Sequence, residues 1–500
     1  MKLINCWRKV CVLTMGLTLI GCLANEDDQT AGIEGTGSPV ASRGSVTSYG
    51  SILVNGERID ISSAQIHANG ETVVEEAIEL GMVVQVEAER DEHGTVVAQR
   101  VLYSRALLGT VSEVVDTTAT RKVLAVMGQT LVVHDDTHFA GLTFEELGEG
   151  IRLDVSGFVD SEGRLVASRV AAAAENADDE VSGEIQNLNR DSTHFQLRDV
   201  QVQYSDAVFE DGSLDDLSNG AVVRVQGERS GDVLSAMRVR FVAAESALEE
   251  GTWISLEGMA KNVQATGQFE LDGQTVDASE AELSGGTAEQ LTSGVRVAVS
   301  GALENGMLQA QQVRLLLPGL YRARALVDDV DPQSNTVVIM GTTYTSTGLT
   351  AFEDLGPNPN RLINMNELRV GDYVEVFARY AGDQLIITRV KRLDAETGVN
   401  LRGPVSQIDL AQNQIVVMGV SVDLQGAVGA ALIGQLTEGD IVKVAGSASG
   451  QRRITANHLN LPNIPDLPDL GECPILVPEC EELLDAGRPG GVGHGATTRH

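Results

Sequence analysis

The densest group of potential metal ligands in the sequence is the segment His134-Asp135-Asp136-Thr137-His138. Imidazole and carboxylate groups this close together bind zinc or nickel in proteins. The segment also fits a solvated loop, because corresponding positions elsewhere in the chain carry other residues. His134, Asp136 and His138 are therefore weak candidates for a metal site, and the sequence predicts no cofactor.

Arginines recur at one position of a repeated segment, as Arg100, Arg169, Arg238 and Arg389. A regular row of guanidinium groups is a candidate contact for an anion. Pairing of each arginine with a neighbouring carboxylate is the more ordinary alternative.

Catalytic motifs are missing at the spacings that known reactions require. The segment Gly446 to Gly450 has the flanking glycines of a nucleophile elbow, but Ala448 stands at the position of the nucleophile. We therefore expect a non-enzymatic protein.

Charge and composition argue against nucleic acid as a partner. The formal net charge is −35 and aromatic residues make up only 4% of the chain. Phosphate binding needs basic residues and base stacking needs aromatic rings, so we expect no nucleic-acid surface.

The N-terminal segment has the features of an export signal. Lys2, Arg8 and Lys9 precede a short apolar run from Val10 to Ile20. The run ends in Leu19-Ile20-Gly21-Cys22, which resembles the lipobox of bacterial lipoproteins. The resemblance implies removal of a signal peptide, residues 1–21, lipidation of Cys22 and attachment to the membrane. Because Leu23 follows, it also implies the outer membrane, with the protein facing the periplasm or the cell surface.

Two low-complexity segments flank the body of the chain. Residues 22–43 are acidic and then rich in Gly and Ser, which predicts a flexible tether. Residues 462–500 form a Pro/Gly-rich tail that we expect to be disordered. Cys473 and Cys480 in this tail are candidates for a disulfide in an oxidising compartment, with free thiols as the open alternative.

Between these segments one pattern occurs six times. Each copy contains an aliphatic residue, a Gly three positions later, and aliphatic residues three and five positions after the Gly, as in Leu436, Gly439, Val442 and Val444. The alternation has period two, which predicts a strand with one buried face, and the Gly predicts a turn with positive φ. A second shared strand, such as Val166 to Val170, closes each copy.

The spacing of these patterns sets the expected domains. Six repeats are predicted at residues 44–105, 109–173, 183–243, 258–317, 323–393 and 403–461. Each has signals for five or six short strands, and closure into a small barrel would protect the edges of so small a sheet. We expect an all-β chain of six OB-like barrels, arranged as beads on a string.

The six-fold pattern resembles a bacterial family of domains of unknown function, found as tandem small β-barrels in exported and lipid-anchored proteins. The resemblance implies a fold and an exported context, and it brings no activity with it. We expect a non-enzymatic binding or structural module with an envelope protein or a glycan as partner. The alternative is a metal-dependent or enzymatic factor with its site in one divergent repeat, either the second or the fifth. The fifth carries the insertion from Gly356 to Asn366.

Overall fold

The computed structural model describes residues 38–48, 51–231, 233–242, 249–356 and 364–462. The expected signal peptide, the lipidated Cys22, the cysteines Cys473 and Cys480, and the tail after residue 462 all lie outside the described residues. So do residues 357–363 of the insertion in the fifth repeat.

The first three repeats contain strands β1 to β19. Repeat 1 has β1 (Ser38–Ser48), β2 (Ile52–Val54), β3 (Glu57–Asp60), β4 (Gln65–Ala68), β5 (Glu71–Thr72), β6 (Val83–Arg90) and β7 (Val96–Tyr103). Repeat 2 has β8 (Leu107–Thr117), β9 (Arg121–Val126), β10 (Gln129–His134), β11 (His138–Ala140), β12 (Arg152–Val159) and β13 (Leu165–Ala172). Repeat 3 has β14 (Asp179–Asn189), β15 (His194–Leu197), β16 (Val200–Gln203), β17 (Val208–Glu210), β18 (Val222–Ser230) and β19 (Val233–Phe241).

The last three repeats contain strands β20 to β36. Repeat 4 has β20 (Trp253–Met259), β21 (Gln268–Leu271), β22 (Gln274–Asp277), β23 (Glu282–Ser284), β24 (Arg296–Glu304) and β25 (Met307–Leu315). Repeat 5 has β26 (Tyr321–Asp331), β27 (Thr336–Ile339), β28 (Thr342–Thr345), β29 (Ala351–Asp354), β30 (Tyr373–Ala381) and β31 (Gln384–Arg392). Repeat 6 has β32 (Gly398–Asp409), β33 (Gln414–Val417), β34 (Val420–Asp423), β35 (Ile441–Gly450) and β36 (Arg453–Asn460). Short 3₁₀ helices lie at Glu75–Ala77, Leu214–Asp216, Ala288–Gln290, Met365–Glu367 and Ala430–Gln435.

Each repeat closes into a small barrel of five main strands. In repeat 1 the antiparallel pairs β1–β2, β2–β3, β6–β7 and β1–β6 are completed by the parallel pair β3–β7. The other repeats follow the same order, and in repeat 4 a single bridge between Lys261 and Glu270 makes the last closure. The expected all-β chain of six small barrels is confirmed. Below, the first strand of a repeat is its opening strand, the strand after the shared Gly is its glycine strand, and the last strand is its closing strand.

The shared Gly ends a turn in a left-handed conformation, as its position in the pattern predicts. In all six copies its φ is positive, from 76° at Gly81 to 96° at Gly439. Only Gly adopts this conformation without strain, which explains why no other residue stands there.

A β-bulge interrupts each hairpin of glycine strand and closing strand at a fixed position, seven residues after the shared Gly. The residue at the bulge is always small: Ala88, Gly157, Gly227, Gly301, Ala378 and Gly446. A bulge bends and twists the pair, which allows two long strands to curve around a narrow barrel. This second small residue is a feature of the repeat that the sequence pattern above did not include.

The repeats are tandem in sequence, but the predicted arrangement as beads on a string is wrong, because the repeats pair with one another. Opening strands of two repeats pair with each other and join two barrels into one sheet. Repeats 2 and 3 are joined by the antiparallel pair β8–β14, and repeats 5 and 6 by the antiparallel pair β26–β32. Repeats 1 and 4, which are not neighbours in sequence, are joined by the parallel pair β1–β20.

These pairings move several predicted boundaries. The opening strands begin up to six residues earlier than expected, at Ser38, Asp179, Trp253, Tyr321 and Gly398. Residues 38–43 are therefore part of a strand and not of the flexible tether. The opening signature of repeat 5 is also shifted, because Ala325 pairs with Val374 as Gly44 pairs with Val84.

Apolar residues form separate or shared cores according to the same pairs. One core is continuous through repeats 2 and 3, and another through repeats 5 and 6. Repeats 1 and 4 each have their own core, with Trp253 of repeat 4 packed against the core of repeat 1. Among the described residues no helix is long and apolar enough to span a membrane.

The bulge gives a test of barrel closure. A Cβ atom at Gly227 would overlap the carbonyl oxygen of Ser235 in the paired strand. We expect Gly227→Ala to cost about 1–3 kcal/mol of unfolding free energy and to lower Tm, because backbone on both strands must move. The control is Gly434→Ala, at a site with no neighbouring atom within 4 Å. Equal Tm values for the two variants would contradict a tight bulge.

Candidate functional site

The segment from His134 to His138 lies in repeat 2, where it joins β10 to β11 and contacts other repeats. Asp135 accepts a hydrogen bond from Nη1 of Arg402 in repeat 6, at 2.6 Å. Both side chains are buried, and Nε of the same arginine donates to the carbonyl of Leu320 at 2.8 Å. Burial raises the pKa of Asp135 to about 6, against the opposing effect of the Arg402 charge, so the pair is ionised at neutral pH.

Asp136 faces the connection between repeats 4 and 5. Its carboxylate accepts a hydrogen bond from the backbone N–H of Gly319 at 2.7 Å. The hydroxyl of Thr388 in repeat 5 lies 3.5 Å from the same oxygen. One carboxylate of repeat 2 thus holds two separate parts of the chain.

His138 meets the closing strand of repeat 5. Nη1 of Arg389 lies 3.0 Å from Nδ1 of His138, and it also donates to Glu353 at 3.2 Å. Burial lowers the pKa of His138, more than the neighbouring Glu353 raises it. The imidazole is therefore neutral and accepts the hydrogen bond from Arg389 at Nδ1.

The candidate metal ligands do not form a coordination shell. His138 is bound to Arg389, Asp136 binds the N–H of Gly319, and His134 lies in a cavity described next. Within the described residues no group of three or more His, Cys, Asp or Glu side chains is placed to hold a metal ion. The interpretation as a solvated loop is also wrong, because Asp135, Thr137 and His138 are buried between repeats.

A cavity of about 870 Å³ lies beside this segment, and residues of repeats 1, 2, 4 and 5 line it. Part of its wall is apolar, including Val123, Val166, Leu317 and Ile386. The polar part contains six arginines, Arg121, Arg164, Arg296, Arg314, Arg379 and Arg389. A second cavity of about 410 Å³ within repeat 4 has no charged residue in its lining.

His134 is half-buried and contributes to the cavity wall. Burial lowers its pKa, and the charges of Arg121 and Arg296 lower it further against the effect of Asp136. The two arginines belong to repeats 2 and 4, and both line the same cavity as His134.

Most charges of the cavity wall are already paired. Arg164 binds Asp160 at 2.8 Å and Glu162 at 3.0 Å. Arg296 binds Glu257, which also accepts hydrogen bonds from the N–H and the hydroxyl of Ser45 in repeat 1. These contacts fix the wall between repeats 1 and 4.

The four arginines of the closing strands, Arg100, Arg169, Arg238 and Arg389, pair with carboxylates, which is the alternative to an anion contact. Each has a carboxylate within ion-pair distance: Glu87 for Arg100, Glu79 for Arg169, Glu210 for Arg238 and Glu353 for Arg389. They do not form a periodic anion contact. Two pairs, Arg169–Glu79 and the group around Arg389, instead link repeat 2 to repeats 1 and 5.

Among the six arginines of the cavity, sequence patterns single out only Arg389 and do not reveal Arg296, Arg314 or Arg379. In the sequence they stand at polar positions of alternating strands, where they resemble residues that face solvent on the outside of a barrel. No signal in a single repeat reveals that another repeat covers that outer face.

Comparison with known proteins identifies the repeated unit. A model of the domain of unknown function DUF5666 matches residues 43–101, 109–171, 182–240, 257–314 and 324–391. The chain belongs to this family. The five matches coincide with repeats 1 to 5 of the structure. None of them includes repeat 6, which has the same order of main strands as the DUF5666 repeats.

Other comparisons add little. No curated protein matches the chain. A solved structure titled "drosophila Unr CSD456" aligns over 97% of its own length and 42% of this chain, at 13% identity and a TM-score of 0.14. That likeness is too slight to carry an argument about fold or function.

The buried ion pair between repeats 2 and 6 is open to test. Arg402→Met leaves the carboxylate of Asp135 buried without its partner, and we expect a loss of about 3 kcal/mol in unfolding free energy, measured with urea. The control Arg58→Met, at an exposed position of repeat 1, should change it by less than about 0.5 kcal/mol. The double variant Asp135→Asn with Arg402→Met should recover part of the loss. Additive losses would refute a direct coupling.

His138 makes the junction sensitive to acid. Its folded-state pKa lies below the ordinary value of 6.5 because of burial, so the unfolded chain takes up a proton first as the pH falls. The contribution of neutral His138 to the free energy of unfolding is complete above the ordinary histidine pKa of 6.5, and it is lost progressively as the pH falls below that value. Between about pH 7.5 and about pH 5.5 the Tm of the wild type should fall further than that of His138→Gln, whose oxygen accepts from Arg389 without titrating.

The buried carboxyl groups of Asp135 and Asp154 change the stability in the opposite direction, but they do so equally in the wild type and in His138→Gln. Burial raises the pKa of Asp135 and of Asp154, so both stabilise the fold as the pH falls, and both are present in the two proteins. The difference between the two Tm shifts therefore reports His138 together with Glu353, whose pKa is lowered, against the effect of burial, by its contact with His138 and by the charge of Arg389. Identical shifts would mean that this histidine does not titrate on unfolding.

Proposed function

We propose that this protein is a lipid-anchored envelope protein that acts as a non-enzymatic binding module, with its ligand in the cavity shared by repeats 1, 2, 4 and 5. The observation that carries the proposal is the cavity itself. Its volume of about 870 Å³ lies within the range typical of sites for small molecules.

The construction of the wall supports binding rather than a packing defect. Four repeats contribute to the wall, and hydrogen bonds link parts of it, as between Glu257 and Ser45 or between Asp136 and Gly319. A wall held in this way is preorganised, which reduces the entropy lost when a ligand binds. Both apolar and charged side chains line the space, as in sites that bury a ligand and orient it.

A shared cavity changes the expected role of the repeats. An array of separate weak sites gains affinity by avidity, and each repeat then adds a small increment. A single site between four repeats depends on all four of them. Loss of any one of these repeats therefore abolishes binding in this proposal.

The cellular location of the protein is proposed from its N-terminal segment. Lipidation at Cys22 would attach the folded repeats to the outer membrane, facing the periplasm or the cell surface. An envelope protein or a glycan that carries a small terminal group is a partner consistent with this location.

A substitution that fills the cavity tests the proposal. Ala381 is a half-buried residue at the end of β30 and lines the cavity, whereas Ala411 is exposed in a hairpin of repeat 6. We expect the wild type, purified from its own envelope, to retain a small molecule that native mass spectrometry detects. Ala381→Trp should lose that molecule, because the indole occupies its space, and Ala411→Trp should keep it.

Two results would overturn the proposal. One is an empty wild type after gentle purification, and the other is equal retention by both tryptophan variants. If the retained species is a metal ion, the metal-dependent alternative in the second or fifth repeat replaces this account.

A further inference from the structure

Arg379 differs from the other arginines of the cavity wall. It lies in β30, immediately after the bulge at Ala378, and is only 8% exposed. Its Nη1 atom is buried without a hydrogen-bond partner, and none of the described carboxylates forms an ion pair with it. A buried guanidinium without a counter-charge is costly, because it has lost part of its hydration without gaining an ion pair.

The position of this guanidinium places it at the wall of the cavity. Its Nη2 atom approaches Gly285, another residue of the wall, so closely that a Cβ atom there would lie 3.2 Å from it. Gly285 rests against the backbone of Leu315, the residue that follows Arg314 in the same wall.

Arg314 is the second arginine of the wall with which none of the described carboxylates forms an ion pair. Its guanidinium donates to the carbonyl of Asn55 at 3.3 Å and to the amide oxygen of Gln312 at 2.8 Å, which leaves its charge uncompensated. The remaining arginines of the wall are each paired with an acid: Arg121 with Asp116, Arg164 with Asp160, Arg296 with Glu257 and Arg389 with Glu353.

The chain has a formal net charge of −35, so acidic residues outnumber basic ones overall. None of the described carboxylates nevertheless forms an ion pair with Arg379 or Arg314. Burial lowers the pKa of Arg379 to about 10, which still leaves it charged at neutral pH. The wall therefore presents fixed positive charge toward a space of ligand size.

We propose that the cavity binds a small organic oxyanion, a carboxylate or a phosphate monoester, through the guanidinium of Arg379 with support from the charge of Arg314. This inference rests on the proposed binding function and names the ligand class for it. A planar guanidinium binds two oxygens of such a group at once, and the interaction is strong where water is excluded. The apolar wall, including Val166 and Leu317, receives the organic part of the ligand.

Calorimetric titration of the full mature protein with three probes tests the ligand class. Benzoate and phenyl phosphate carry an oxyanion, and benzamide is the neutral analogue of benzoate. We expect at least one oxyanion to bind at least about 10-fold more tightly than benzamide. Whichever of the two oxyanions binds more tightly identifies the group.

A second test of the ligand class uses variants of Arg379, for which we expect weaker ligand binding without a loss of thermal stability. Arg379→Met should weaken oxyanion binding at least about 10-fold, and it should leave the Tm of the ligand-free protein equal or higher, because a buried unpaired charge is removed. Arg379→Lys should keep part of the affinity. The control Arg238→Met removes an arginine of repeat 3 that lies outside the cavity wall, and it should leave binding unchanged.

Three results would overturn this inference. They are benzamide affinity equal to that of the oxyanions, unchanged affinity in Arg379→Met, and no binding of either oxyanion up to about 10 mM. The proposed function survives any of these if the molecule retained from the envelope is still displaced by Ala381→Trp. It fails separately if that variant retains the molecule.

Discussion

The first half of each opening strand has two hydrogen-bonding edges, and its own barrel covers only one of them. In repeat 1 the glycine strand β6 pairs with Ser38 to Ser45, and the hairpin strand β2 begins its pairing only at Val46. An exposed strand edge of this kind recruits other strands. The six repeats remove all six edges with three pairings, β1–β20, β8–β14 and β26–β32. This constraint joins the six barrels into three pairs.

Backbone pairing alone does not determine how the three pairs of barrels meet. Charged side chains on the outer faces of the barrels hold the pairs against one another, and repeat 2 carries many of these side chains. Asp135 reaches repeat 6, Asp136 reaches the segment before repeat 5, and His138 reaches Arg389. Because an unpaired buried charge is costly, such contacts favour one arrangement over others in which the same charges lack partners. The apolar contact of Val83, Phe158 and Met259 adds a small core where repeats 1, 2 and 4 meet.

The sequence predicts the individual barrel well, because local patterns determine it. The left-handed Gly, the aliphatic residue before it and the alternating strand recur in all six copies and have the predicted structure. The relation between barrels could not be predicted in the same way. Glu375 and Arg379 alternate with apolar residues in β30 and resemble solvent-facing residues, yet both are buried because other repeats cover the outer face. The residue types of the His134 to His138 segment indicate a metal site or a solvated loop, and the structure shows neither, because the segment binds other repeats.

The most direct test of this account is the distance between repeats 2 and 6, which are separated by more than 200 residues in sequence and joined by the Asp135–Arg402 pair. Spin labels at the exposed positions Glu113 and Gln407, with the native cysteines replaced by serine, report that distance by pulsed electron resonance. We predict one narrow distribution, because the two repeats belong to an interlocked body, and a broader one in Arg402→Met. A broad distribution in the wild type would show repeats that move independently, and it would contradict both the junction and the shared cavity.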